Sequence, residues 1–147
     1  MQVDLWHALG MGKPSFPSRS HCPINFALET FGDRWTLLVI RDLMFHGKRH
    51  FGDFLASDES VATNVLADRL KRLERHGLIT RSLEKPGAKP SYALTRKGRD
   101  LLPVLLEITR WSGRYDPGTN ASRALLETLE RDRDGLIAAL EANWKKP

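Results

Sequence analysis

The sequence predicts a mostly α-helical chain with one small β-hairpin, arranged as a winged helix-turn-helix with flanking helices. Three observations carry that expectation. Helix signals, a short alternating stretch with a turn-rich middle, and further helix signals follow one another in that order. The helix expected at 61–76 sets a leucine stripe against a polar, basic outer face. Positive charge gathers on that helix and on the hairpin after it. Ten basic residues face two acidic ones from Arg69 to Arg99, a net +8 over 31 residues, whereas 119–147 is neutral.

Residues 1–20 carry Gly10, Gly12, Pro14 and Pro17 with little periodicity and read as an N-terminal arm. Pro23 suits the first position of a helix, with Cys22 as its cap. Ile24, Ala27, Leu28 and Phe31 follow at helical spacing, and Gly32 ends the segment. Asp33 can cap the next helix, which stops at Gly47 and whose dense apolar run from Thr36 to Ile40 implies near burial. Trp35 reads as a core residue. A short piece at 50–56 follows, and Asp58, Glu59 and Ser60 form a polar break with capping chemistry.

In the helix at 61–76, Ala62, Leu66, Leu70 and Leu73 form the stripe, and Gly77 closes the segment. Its other face carries Thr63, Asn64, Asp68, Lys71, Arg72 and Arg75. Alternation from Leu78 to Leu83 and again at Ser91–Leu94, around the turn-rich Glu84–Pro90, predicts a hairpin with a cationic tip. Thr95 caps a helix running to about Tyr115, in which Pro103 marks a kink or the true start. Its stripe of Leu101, Val104, Leu105, Ile108 and Trp111 needs a partner surface. A turn at Asp116–Gly118 leads to one last helix, about 121–144, within a C-terminal segment at 119–145.

At 147 residues the chain fits one main core, with residues 21–115 as the winged helix-turn-helix unit. A composition of 41% hydrophobic and 28% charged residues excludes wholesale disorder. No apolar run approaches the ~18 residues that span a bilayer, so no membrane partner is expected. The start lacks the pattern of a secretory signal, and the lone Cys22 cannot form an intramolecular bridge. Both point to a reducing, cytoplasmic setting.

No phosphate loop, nucleophile elbow or paired-carboxylate pattern is present, so neither an enzyme nor a cofactor is expected. His46 and His50 have a metal-like spacing, but Gly47 breaks it and no ligand cluster accompanies them. His21 beside Cys22 is a poor basis for thiol catalysis, since adjacent residues rarely form the needed pair. A protein-binding winged helix would want an apolar or acidic outer face at 61–76, and the face is basic.

A helix fits the major groove, and a basic hairpin tip reaches a neighbouring phosphate run or minor groove. Thr63 and Asn64 lie in the first turn of the reading helix. There Asn can pair bidentately with adenine and a Thr methyl can pack on thymine. Lys71 and Arg72 suit phosphates, as do Arg49 before the short piece at 50–56 and Lys85 and Lys89 on the hairpin. Arg69 is either a DNA contact or an ion-pair partner of Asp42 or Glu74. Asp68 repels phosphate, so it reads cytosine or caps a neighbour.

Several stretches together resemble the HxlR-type winged-helix regulators of bacteria. They are Cys22-Pro23-Ile24, Gly32-Asp33-Arg34-Trp35-Thr36-Leu37-Leu38, Arg41-Asp42-Leu43, Gly47 to Phe54, Thr63 to Leu70 and Leu94-Thr95-Arg96-Lys97-Gly98. The resemblance runs from about Cys22 to Trp111. It implies a sequence-specific transcriptional regulator bound to double-stranded DNA as a homodimer, with the dimer built from helices flanking the winged core. By position, Thr63, Asn64 and Arg69 match the family's recognition-helix motif. Some members use a cysteine before this proline as a redox switch. Cys22 is therefore a candidate sensor, at a helix N-terminus whose free N–H groups favour negative charge. The alternative is that it caps the helix or packs at the dimer interface. The effector, oxidant or small molecule, is not indicated by the residues.

Overall fold

The computed structural model describes residues 19–144, so nearly all of the expected arm at 1–20 lies outside the described residues. Helix α1 (Pro23–Phe31) opens with Pro23 in its first turn, where a missing N–H costs nothing. Cys22 holds the N-cap position, but its thiol makes no capping hydrogen bond. Its backbone N–H donates instead to Ser20 Oγ at 3.4 Å. Asp33 does cap α2 (Thr36–Phe45): its Oδ1 accepts from the N–H groups of Trp35 at 2.8 Å and Thr36 at 3.1 Å. Gly47, at φ +63°, then turns the chain into α3 (Phe51–Leu55).

Helix α4 (Thr63–Arg75) starts two residues later than the sequence suggests, and Ala62, not the 58–60 break, is its N-cap. Within that break Ser60 stands in the left-handed region at φ +58°, outside helical geometry, and Glu59 pairs with Arg41. At the other end Gly77 adopts φ +72°, and the N–H of Leu78 returns to the carbonyl of Leu73 at 2.9 Å.

Strands β1 (Ile79–Ser82) and β2 (Ser91–Leu94) pair antiparallel, with Ile79 opposite Leu94 and Ser82 opposite Ser91. The expected alternation of faces is not what buries β1. Leu78 and Ile79 are both buried while Thr80, Arg81 and Ser82 are exposed. The root of the hairpin packs against α2 and α4, and the rest projects past the core. A further rung, from Tyr92 N–H to the Arg49 carbonyl at 2.8 Å, ties β2 to the segment before α3.

The expected helix from Thr95 to Tyr115 is two elements. Thr95 caps the single-turn α5 (Arg96–Arg99) through a bond from Gly98 N–H at 3.1 Å. Helix α6 (Leu102–Tyr115) then begins with Pro103 in its first turn, so the proline marks the true start. The single helix expected over 121–144 is likewise divided, into α7 (Arg123–Arg131) and α8 (Arg133–Asn143). Asp132 leaves helical geometry at φ −150°, ψ 67°, and its carboxylate accepts from Gly135 N–H at 3.0 Å. A short acidic side chain that satisfies the next helix's orphan N–H groups competes with helix continuation. The break lets Leu136, Ile137, Leu140 and Trp144 pack back against the core.

That core joins Val39, Ile40 and Met44 of α2, Phe54 of α3, Leu66, Leu70 and Leu73 of α4 and the hairpin root. Leu102, Leu105 and Leu106 of α6 and Leu129 of α7 complete it. Each fully buried aliphatic side chain contributes about 1.5–3 kcal/mol. Order, hairpin and core make this a winged helix-turn-helix with a helical C-terminal pair folded onto it.

Candidate nucleic-acid interface

Helix α4 is anchored by its leucines and offers its other face to solvent. Leu66, Leu70 and Leu73 are buried. Thr63 and Asn64, in the first turn, are exposed, as are Lys71 and Arg75, while Arg72 is half-buried. Among the described residues none of Lys71, Arg72 and Arg75 has a carboxylate partner within ion-pair distance. Their charge is felt locally. Partial burial, reinforced by Lys97, Arg72 and Arg75, holds the His76 imidazole below its ordinary range.

The hairpin continues the same electropositive surface. Lys85 and Lys89 are exposed at its tip, where Gly87 supplies the φ of +81° that the turn requires, and Arg81 is exposed on β1. Arg49 is exposed at the base of the hairpin, its carbonyl engaged by β2. Cys22 is exposed and lies at the N-cap of α1, away in the chain from the α4–hairpin surface.

Arg69 sits differently from the other candidate DNA contacts. Its Nε donates to Asp33 Oδ1 at 2.8 Å and a terminal nitrogen pairs with Asp68. Its ion-pair partners are thus Asp33 and Asp68, neither of the two carboxylates the sequence suggests. The pair straps α4 to the N-terminus of α2. Burial pushes the Asp33 carboxyl up, but hydrogen bonds from Thr36, from Arg69 and from the Trp35 and Thr36 backbone outweigh it and lower the pKa to about 2. The Arg69 guanidinium, hydrogen-bonded to Asp33, is raised in turn.

A second network holds the turn before α4, and sequence reasoning missed it. Asp42 is buried on α2 and receives hydrogen bonds from Arg41 at 2.8 Å, Lys48 at 3.3 Å and Ser57 at 2.5 Å. His46 Nδ1 lies 3.0 Å from the same carboxylate. Arg41 also reaches Glu59 across the turn. Burial raises the Asp42 carboxyl, yet the bonds from Ser57 and Arg41 and the Lys48 charge leave it below its ordinary value. The adjacent Arg41-Asp42 was the one visible signal. Nothing in the spacing marks Lys48, Ser57 and Glu59 as its partners.

The pairing of His46 with Asp42 removes it from any role with His50, whose Nδ1 lies 3.1 Å from the Pro90 carbonyl. Among the described residues no group of three or more His, Cys, Asp or Glu side chains could hold a metal ion. No helix is long and apolar enough to cross a membrane among those residues.

The HxlR-like helix-turn-helix family model matches residues 30–120, well over half of the chain. An HTH-type transcriptional regulator of Synechocystis, sll1512, is 37% identical over 95 residues, covering 63% of this chain and 69% of its own length. The regulator YodB of Bacillus subtilis is 33% identical over 100 residues, covering 66% of this chain and 88% of its own. Its reduced-form crystal structure superposes with a TM-score of 0.56 at 29% identity, over 67% of this chain and 98% of that one. The redox regulator HypR in its oxidized form gives 0.57 at 30%, over 63% and 96%. These relatives are transcriptional regulators, not enzymes. With its winged helix-turn-helix fold, the exposed basic face of α4 and the match of this family model over residues 30–120, the chain belongs to the HxlR-like helix-turn-helix family of DNA-binding transcriptional regulators.

Proposed function

We propose that this regulator binds a pseudo-palindromic operator as a symmetric homodimer, with α4 in the major groove and the hairpin on the flanking backbone. The observation that carries the reading is the exposed, unpaired basic face of α4 continuing into the hairpin lysines. In this reading Thr63 and Asn64 contact base edges, and Lys71, Arg72, Arg49, Lys85 and Lys89 contact phosphates. Residues 21–115 form the DNA-binding and dimerising unit. The dimer is supported by apolar side chains left in solvent on α1 and α6: Ile24 is 72% exposed, Leu28 59%, Ile108 45% and Trp111 63%. A two-fold dimer sets its reading helices about one helical turn, roughly 10 bp, or a multiple apart. Selection of bound fragments from genomic DNA, followed by sequencing, tests this. Sites with inverted half-sites at such a spacing are expected, and asymmetric single sites contradict the symmetric dimer.

A second reading, thiol responsiveness, rests on the exposed Cys22 at the N-cap of α1 and on the redox regulator among the similar structures. With no second cysteine in the chain, the modification would be an intersubunit bridge, a low-molecular-weight thiol adduct or alkylation. Operator affinity measured before and after oxidant should change in the natural chain and stay constant in Cys22→Ser. Equal behaviour of the two leaves Cys22 outside regulation.

A further inference from the structure

On α4, Asn64, Asp68, Lys71 and Arg75 recur at intervals of three and four, on the side opposite the buried Leu66, Leu70 and Leu73. All four are exposed. Asp68 is therefore a carboxylate on an otherwise polar and basic line, one turn, about 5.4 Å, beyond Asn64. Among the described residues its partner is Arg69, and it caps no backbone N–H. Arg69 is shared: its Nε donates to Asp33 Oδ1 at 2.8 Å, and Asp33 caps α2. One guanidinium thus serves two carboxylates, and negative charge remains at the Asp68 side chain, which is 54% exposed.

We propose that Asp68 reads a base, selecting cytosine at one position of each half-site; the inference rests on α4 being the reading helix. In the major groove only cytosine N4 and adenine N6 donate hydrogen bonds from base edges. Beside adenine N6 stands the N7 acceptor, which repels a carboxylate, whereas cytosine presents no acceptor there. Against a phosphate the same carboxylate only repels, so its one favourable contact in the groove is a charge-assisted bond from a base. The tie through Arg69 to Asp33 restrains the carboxylate before DNA arrives, so less side-chain freedom is lost on binding. Lys71 and Arg75, further along the same line, offset its repulsion from the backbone.

Selection of bound duplexes from a random DNA library, read by sequencing, tests this with the full natural chain and with Asp68→Ala, Asp68→Asn and Asn64→Ala. Preferences within one selection do not depend on how much of the sample is folded. The natural chain should prefer a C·G pair about tenfold at one position of each half-site, and Asp68→Ala should flatten that position alone. Asp68→Asn should turn it towards A·T, since an amide pairs with adenine N6 and N7. Asn64→Ala should keep it and lose preference at another position. An Asp68→Ala profile equal to the natural one overturns the proposal. That includes the case where the variant binds every sequence more tightly, the mark of a carboxylate that only repels phosphate. If Asn64→Ala alters preference while Asp68→Ala does not, this inference falls and the reading helix stands. If neither alters it, α4 does not read the bases and both fall.

Discussion

Asp42 and Asp33 show why single buried carboxylates matter in a domain of this size. The Asp42 side chain is 3% exposed and compensates Arg41 and Lys48 around it. Asp42→Ala removes the shared acceptor, leaving Arg41 with Glu59 alone and Lys48 without its carboxylate, so it should cost about 1–3 kcal/mol in denaturant unfolding. Asp33 gives a prediction in pH. Its folded pKa of about 2 lies below the ordinary 3.8. The stability it contributes is therefore fully present above about pH 4 and is lost as pH falls towards 2. Asp33→Asn should be less stable at neutral pH, and its stability should fall less steeply from pH 4 to 2. Parallel acid-unfolding curves for the two proteins would show that Asp33 has no such coupling. The Asp33–Arg69 pair joins residues 36 apart, and no spacing rule links them. What the sequence did show was Asp33 as a cap and Arg69 as either a DNA contact or an ion-pair partner.

At the scale of the elements, the proposed complex gives α4 and the hairpin different shares of DNA binding. Thr63→Ala or Asn64→Ala should erode preference for the operator by about 1–3 kcal/mol for a lost bidentate contact. Loss of both Lys85 and Lys89 to Ala should instead weaken binding to all sequences alike. Each lost phosphate contact should flatten the dependence of log K on log salt by about 0.9. If the operator is still preferred fully in both α4 variants, another element reads the bases. The tight join between hairpin and α5 gives a separate test. A Cβ on Gly98 would clash with the Leu78 carbonyl oxygen, which is backbone and cannot move aside. Gly98→Ala should therefore lower stability by about 1–3 kcal/mol through overpacking, measured by thermal or denaturant unfolding. The leucine stripe, the capping aspartate and the Pro-Gly turn made α4, α2 and the hairpin legible from sequence. The α7–α8 break was not legible, because Asp132 reads equally well as a residue on the polar face of one long helix.

For the whole molecule, the question is what covers the apolar residues of α1 and α6. Ile108 and Trp111 stand on the outer side of α6, while Leu105 and Leu106 face the core. A second copy is the occupant proposed for these apolar surfaces. Trp111→Glu should thus shift the protein towards monomer in sedimentation at micromolar concentration. The same change should weaken operator binding more than it lowers the unfolding midpoint. A natural chain that sediments as a monomer, with or without DNA, contradicts the dimer. The C-terminal pair bears on the same geometry. Arg110 and Arg114 of α6 pair with Glu130 of α7, and Arg133 of α8 pairs with Glu107 of α6. These exposed pairs each add little stability; the burial of Leu129 and its neighbours is what fixes α7 against α6.

The sequence by itself determined the order of the elements, the wing, the buried and basic faces of α4 and the family, because helical and strand periods, caps and turn residues are local in the chain. Tertiary structure alone decided that Arg69 is strapped to Asp33, that Asp42 gathers Arg41, Lys48 and Ser57, and that α8 folds back to place Trp144 beside Arg99. Apart from the adjacent Arg41–Asp42, those pairings join residues that no helical or strand period relates. They depend on which faces meet once the core closes, and no local pattern records that.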